Sequence, residues 1–129
     1  MADPVVPVSW GELLDKIAIL EIKRARLRAP AAVANAEREL AALNDALAVA
    51  GPAQAELAEL RAALAAVNER LWDIEDGIRD CEARGDFGPA FVALARSVYH
   101  QNDERGRIKR AINVLLGSVL VEEKQYTAY

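Results

Sequence analysis

Residues 53–84 read AQAELAELRAALAAVNERLWDIEDGIRDCEAR. Within this stretch Leu57, Leu60, Leu64, Val67, Leu71, Ile74, Ile78 and Cys81 recur in alternating steps of three and four. That is the spacing of apolar a and d positions along one seam of a long helix. At ~1.5 Å per residue the segment spans ~48 Å. Gly77 interrupts the helix propensity, at a cost of roughly 1 kcal/mol against Ala, and marks a candidate close approach of another helix.

The partner for that seam follows in the chain. Arg84-Gly85-Asp86-Phe87-Gly88-Pro89 is a break in which Gly85 suits the C′ position and Asp86 suits a cap for the next helix. That next helix runs to about Leu116, with Gly117 after it, and carries Phe87, Phe91, Leu94, Ala95 and Val98 at helical spacing. The same face then passes through Asn102, Arg105 and Lys109 before returning to Ile112 and Leu116. A short turn between two long amphipathic segments predicts an antiparallel hairpin.

Working back, Ser9 followed by Glu12 reads as a capping box, and Val8 with Leu13 as a hydrophobic staple. The first helix is expected from there to about Arg28, where Pro30 discourages continuation. Apolar residues nearly surround it, which predicts contacts with more than one neighbour. One of its faces, Trp10, Leu13, Leu14 and Ile17, continues through Glu21, Arg24 and Arg28. The second helix, about Ala31 to Ala50, has a narrow seam of Val33, Ala36, Leu40, Leu43, Leu47 and Ala50 and ends at Gly51-Pro52. The expected fold is all-α: an antiparallel helical-hairpin bundle of four helices in one domain over residues 1–129. Helices three and four form its long coiled-coil-like hairpin, and helices one and two pack on it. Val5 to Val8 and Val119 to Val121 offer an optional short two-strand pairing of the termini.

Composition narrows the function classes. The 129 residues carry a net charge of −4, so the overall field does not favour nucleic acid or anionic membranes. No apolar run approaches the ~20 residues of a membrane-spanning helix. The first thirty residues lack a basic start followed by an apolar core, so no secretory leader is expected. The one cysteine, Cys81, has no internal disulfide partner and sits in an apolar register, which suits a buried thiol in a reducing cytoplasm. With one histidine, His100, and one cysteine, a typical zinc set is unavailable, and no cofactor or metal is expected. His100 falls opposite the apolar stripe, as a solvated surface histidine would.

The breach in the stripe is the candidate site. Folding back at Asp86 places Leu71 opposite Gln101 and Asn68 opposite Glu104. Asn102 and Arg105 then lie near Asn68 and Leu71, with Glu75 one turn away and Lys109 one turn beyond Arg105. Glu21 and Arg24 of the first helix are candidates to join. Charges on the core side of a helix are costly unless paired or led to water. The cluster Glu21, Arg24, Asn68, Glu75, Asn102, Arg105 and Lys109 therefore reads as an ionic and amide network fixing helix register. The alternatives are a pocket in which guanidinium forks bind an anionic small molecule, or side chains that snorkel to solvent. No catalytic residue is assigned. Trp10 and Trp72 are candidates for a partner surface or half-buried packing. The Ala faces of helix two either permit the close approach of self-association or merely favour helix, and Tyr126 and Tyr129 either fold back as anchors or stay free.

Three further stretches carry a resemblance. They are Gly11-Glu12-Leu13-Leu14-Asp15-Lys16-Ile17 with Ile19-Leu20-Glu21-Ile22-Lys23; Leu71-Trp72 with Ile74-Glu75-Asp76; and Phe91, Leu94 to Tyr99, Asn102-Asp103, Gly117-Ser118, Glu122-Glu123-Lys124 and Tyr126. Together they resemble a family of small uncharacterised bacterial proteins, a domain of unknown function, over nearly the whole chain. The resemblance implies a setting beside glycosyltransferase and tetratricopeptide modules and a supporting role in cell-surface polysaccharide work. It implies no catalytic residue. The function expected is a cytoplasmic, non-enzymatic helical interaction module. The alternative is a small helical enzyme or sensor that binds an anionic metabolite through Arg24, Arg105 and Lys109.

Overall fold

The structure, a computed structural model, describes residues 1–51 and 55–129, apart from the side chain of Ala50. It is all-α, with α1 at Trp10–Arg26, α2 at Pro30–Ala50, α3 at Ala55–Arg84 and α4 at Pro89–Leu116. The expected first residues of helix three, Ala53 and Gln54, and the expected start signal at Pro52 lie outside the described residues, as does the Ala50 side chain placed in the helix-two seam.

Local chemistry sets the boundaries. Ser9 is the N-cap of α1, and its hydroxyl accepts the Glu12 amide at 3.2 Å. The reciprocal half of the capping box is not made, because the Glu12 carboxylate is drawn to Lys109 instead. Helix α1 stops at Arg26, two residues short of expectation. Ala29, ahead of Pro30, is extended at φ −67° and ψ 123°, and Pro30 takes the first turn of α2. At the α3–α4 turn Gly85 adopts φ +65°, and the Asp86 amide reaches back to the Cys81 carbonyl at 2.9 Å. Asp86 does not cap α4: its carboxylate accepts the Gly88 amide at 3.1 Å inside the loop, and Gly88 is the N-cap residue. Helix α4 ends at Gly117, also at φ +65°, with the Ser118 amide on the Asn113 carbonyl.

Helix α4 runs back along α3: Arg70 donates to the Gln101 side chain at 2.8 Å, and a Cβ on Gly77 would lie 3.1 Å from Leu94. Helix α1 lies on both. Its residues 12, 15 and 26 meet residues 109, 105 and 73 of the other two, so it runs parallel to α3 and antiparallel to α4. The apolar residues around α1 are explained by its three neighbours, α2, α3 and α4. Helix two was expected on the hairpin. Among the described residues α2 comes into close backbone approach with α1 only, and its buried Ala36 and Leu40 join the shared core from that side. Leu14, Ile17, Leu64, Val67 and Ile112 are at most 1% exposed and form the centre of the core.

No strand is present among the described residues, so the optional pairing of the termini is not formed. Pro4 and Pro7 remove two donors from the first segment. The second segment is followed by side chains held along α4, Glu122 by Lys109 and Glu123 by Arg110. No described helix is long and apolar enough to cross a membrane.

Candidate functional site

The breach in the α4 stripe is filled by a carboxylate from α1. Asp15 is 1% exposed, in the angle between the three helices. The Arg105 guanidinium grips it with Nε at 3.1 Å and Nη2 at 2.9 Å from Oδ2. Asn68 of α3 donates to Asp15 Oδ1 at 2.9 Å and to the Leu64 carbonyl at 3.1 Å. Arg105 also donates to Asn102 Oδ1 at 3.2 Å. One turn along α4, the Lys109 ammonium lies 2.9 Å from Glu12, 3.0 Å from Glu122 and 3.8 Å from Asp15. Three helices and the segment after α4 therefore share one chain of ion pairs and amides.

Burial alone disfavours the charged Lys109 ammonium. Hydrogen bonds to Glu12 and Glu122 and the field of Asp15 outweigh that, and its pKa is raised. Glu122 shows the complement: the bond from Lys109 holds its carboxyl below the usual range. Every buried side-chain nitrogen or oxygen among the described residues has a hydrogen-bond partner. A charge-assisted network satisfied in this way fixes the level of one helix against another, whatever its net contribution to stability.

The first turn of α1 is bound into the same place. Its leading amides are taken by side chains from elsewhere in the chain: Trp10 N by Ser118 Oγ at 2.9 Å and Gly11 N by Asn113 Oδ1 at 2.7 Å. Amides that a helix leaves orphaned at its N-terminus are thus satisfied by the end of α4. Gly11 permits this approach, since a Cβ there would sit 2.6 Å from the Lys109 carbonyl oxygen.

Asn68, Asn102, Arg105 and Lys109 meet as expected, and three of the seven expected residues do not join them. Glu75 is exposed and pairs with Arg79 on its own helix. Glu21 and Arg24 are exposed on α1, because Ile22 and Arg26 are the residues turned to α3, Arg26 forking between Glu69 and Asp73. Beside Arg105 a groove of ≈ 350 Å³ opens over Ile22, Leu71 and Trp72. Glu75 lies on its rim rather than in the network.

A family model matches residues 5–129 and is described as "Family of unknown function (DUF6165)". The chain belongs to that family. The DUF6165 match takes in α1 through the segment after α4, so every residue of the network lies within it. No curated protein and no solved structure matches the chain.

Within the DUF6165 region, Asp15, Asn113, Ser118 and Glu122 are network members that sequence reasoning did not place there, and Glu12 was read only as a cap. Asp15 had a usable signal. It shares one helical row with Gly11, Ala18 and Ile22, a row small enough for close approach, and it is the only charge on it before Arg26. Among the described residues no cluster of His, Cys, Asp and Glu is disposed to hold a metal ion. Cys81 is buried and unpaired.

Proposed function

We propose that the chain is a non-enzymatic helical interaction module. Its polar network would set how α1 crosses α3 and α4. The far half of α3 and α4, a coiled-coil-like hairpin in this reading, would be presented to a protein partner or a second copy. The observation that carries the reading is that Arg105 and Lys109 are occupied by Asp15, Asn102, Glu12 and Glu122, which leaves their forks and donors engaged inside the protein. Phe87 and Val92, on the turn and the start of α4, are 54% and 50% exposed, and apolar area of that kind suits an interface core. The setting we propose, a bacterial cytoplasm and a supporting part in cell-surface polysaccharide synthesis, rests on the sequence resemblance.

The competing reading, an anionic-metabolite site, requires Arg105 or Lys109 to exchange a carboxylate of the protein for one of a ligand. A thermal-shift comparison of the full chain and the Arg105→Met variant, with chloride, phosphate and citrate at matched ionic strength, separates the two. The module reading predicts a lower melting temperature for the variant and no rise beyond chloride with either anion. A rise for the wild type that the variant loses would establish the anion site instead. Sedimentation velocity over a concentration series tests self-association through the far half, which Phe87→Asp is expected to abolish.

A further inference from the structure

The chain has three tyrosines, Tyr99 on α4 and Tyr126 and Tyr129 after it, and all three line one groove of ≈ 570 Å³ between α4 and the returning segment. Two of the rings form a corner. Tyr99 and Tyr129 stand edge to face, with centroids 5.2 Å apart and planes at 72°. His100 touches both, edge to face with Tyr129 at 5.0 Å and 85° and tilted against Tyr99 at 4.9 Å. Tyr126 has no ring neighbour among the described residues and is 76% exposed, so its faces are open. Tyr99, His100 and Tyr129 pack on one another, and Tyr126 is the groove-lining ring that this packing does not account for.

The local charges point one way. Lys124 lines the groove with its ammonium 3.6 Å from Glu122, which it shares with Lys109, and the nearby Arg107 guanidinium lies 2.7 Å from Glu104. Asp103 makes no ion pair among the described residues and accepts only the Tyr129 hydroxyl. That bond to a carboxylate is the first cause of a raised Tyr129 pKa, which keeps the ring neutral. Of the two charged side chains that line the groove, Lys124 is ion-paired and, among the described residues, Asp103 is not, although Arg107 lends Asp103 a positive field.

We propose that this groove is a binding site for an organic ammonium group, caged by the rings of Tyr99, Tyr126 and Tyr129 against the carboxylate of Asp103. Ring faces carry negative electrostatic potential and attract a cation within about 6 Å of the centroid. An anion would meet those faces and Asp103 together. A neutral apolar group would gain the faces and leave the carboxylate without a partner. An alkylated ammonium, weakly hydrated and singly charged, satisfies both. The proposal does not rest on the interaction module, although the groove adjoins the network: Asn102 lines it, and Glu122 holds Lys124 as well as Lys109.

The test is a titration of the full chain followed by NMR of the tyrosine rings. Choline is compared with 3,3-dimethyl-1-butanol, its neutral isostere. Choline is expected to shift the ring signals of all three tyrosines and to bind about tenfold more tightly than the isostere. Tyr126→Ala, at an exposed position, is expected to weaken choline about tenfold, Tyr126→Phe to preserve binding, and Asp103→Asn to weaken it several-fold. A peptide carrying trimethyl-lysine serves as the second arm. If it binds more tightly than choline, the ammonium group belongs to a protein partner; if not, to a free metabolite. Ring signals unmoved by choline, equal binding of the isostere, or choline affinity unchanged in both Tyr126→Ala and Asp103→Asn overturns the proposal.

Discussion

Around residues 57–68 and 108–113, α1 lies across α3 and α4, and Leu57, Leu64, Val67, Asn68, Ile108, Lys109, Ile112 and Asn113 are buried. From Glu69 to Arg107 the same two helices continue with the same apolar spacing, yet Cys81 is the only buried residue. The seam is as regular at one end as at the other. A third helix, not the seam, separates a core from a pair of half-covered helices. Two helices shield only the line between them, and the flanks of that line stay wet until something covers them. The buried members of the polar network, Asp15, Asn68 and Lys109, belong to the covered end, where a carboxylate without partners would be expensive, and Arg105 and Asn102 reach in from its margin. The far end carries the exposed Phe87 and Val92.

This contrast is easiest to break at Arg105. Arg105→Ala strands Asp15, which is 1% exposed, and is expected to cost about 3 kcal/mol. The figure is at the low end for a buried pair because the Arg105 side chain keeps 30% of its exposure. A fall of roughly 10 °C in melting temperature would report it. Gly11→Ala comes next. The new Cβ would meet a backbone oxygen of α4, which cannot turn aside, and about 2 kcal/mol is expected in chemical denaturation. Ser9→Ala removes one accepted amide of the α1 N-terminus, for about 1 kcal/mol. At the far end, Phe87→Ala is expected to change stability by less than about 0.5 kcal/mol, because the ring is already largely in water. A loss at Phe87 comparable to that at Arg105 would erase the distinction between the two ends.

Acid offers a further way to sharpen it. The folded pKa of Glu122 is lowered, so its contribution is present above the ordinary carboxylate value of 4.5 and is lost as pH falls below that towards the lowered value. Lys109 has a raised pKa, so its contribution is complete below 10.5 and disappears only as pH rises beyond that. The last segment should therefore loosen from α4 below about pH 4.5, seen as a change in the NMR signals of Glu122 and its neighbours, while the amides of Leu64 and Ile112 keep their protection factors.

Much of the fold was legible in residues that repeat. The steps from Leu57 to Cys81 gave α3, the glycines at 85 and 117 gave its turn and the end of α4, and Ser9 gave the start of α1. The fold-back at Asp86 placed Asn68, Asn102 and Arg105 together correctly. What escaped is what periodicity does not encode. Gly11 and Asp15 meet α4 beside the buried Leu14 and Ile17, so the face of α1 turned inward includes small and polar positions. Glu21 and Arg24 were therefore assigned inward and Asp15 was overlooked. The return of the last segment along α4 depends on Glu122 meeting Lys109 and on Tyr129 meeting Asp103. Such contacts join residues from opposite sides of a turn, and no local pattern announces them.

Arg105 and Asp15 fasten α1 to α4 and do not hold a place for a ligand. A double-mutant cycle of Asp15→Ala and Arg105→Ala, read by urea denaturation of the full chain, measures that pairing directly. A coupling of about 2 kcal/mol is predicted, with the double variant less destabilised than the sum of the single variants. Additive losses within about 0.5 kcal/mol, or a stable Arg105→Ala variant, would contradict it.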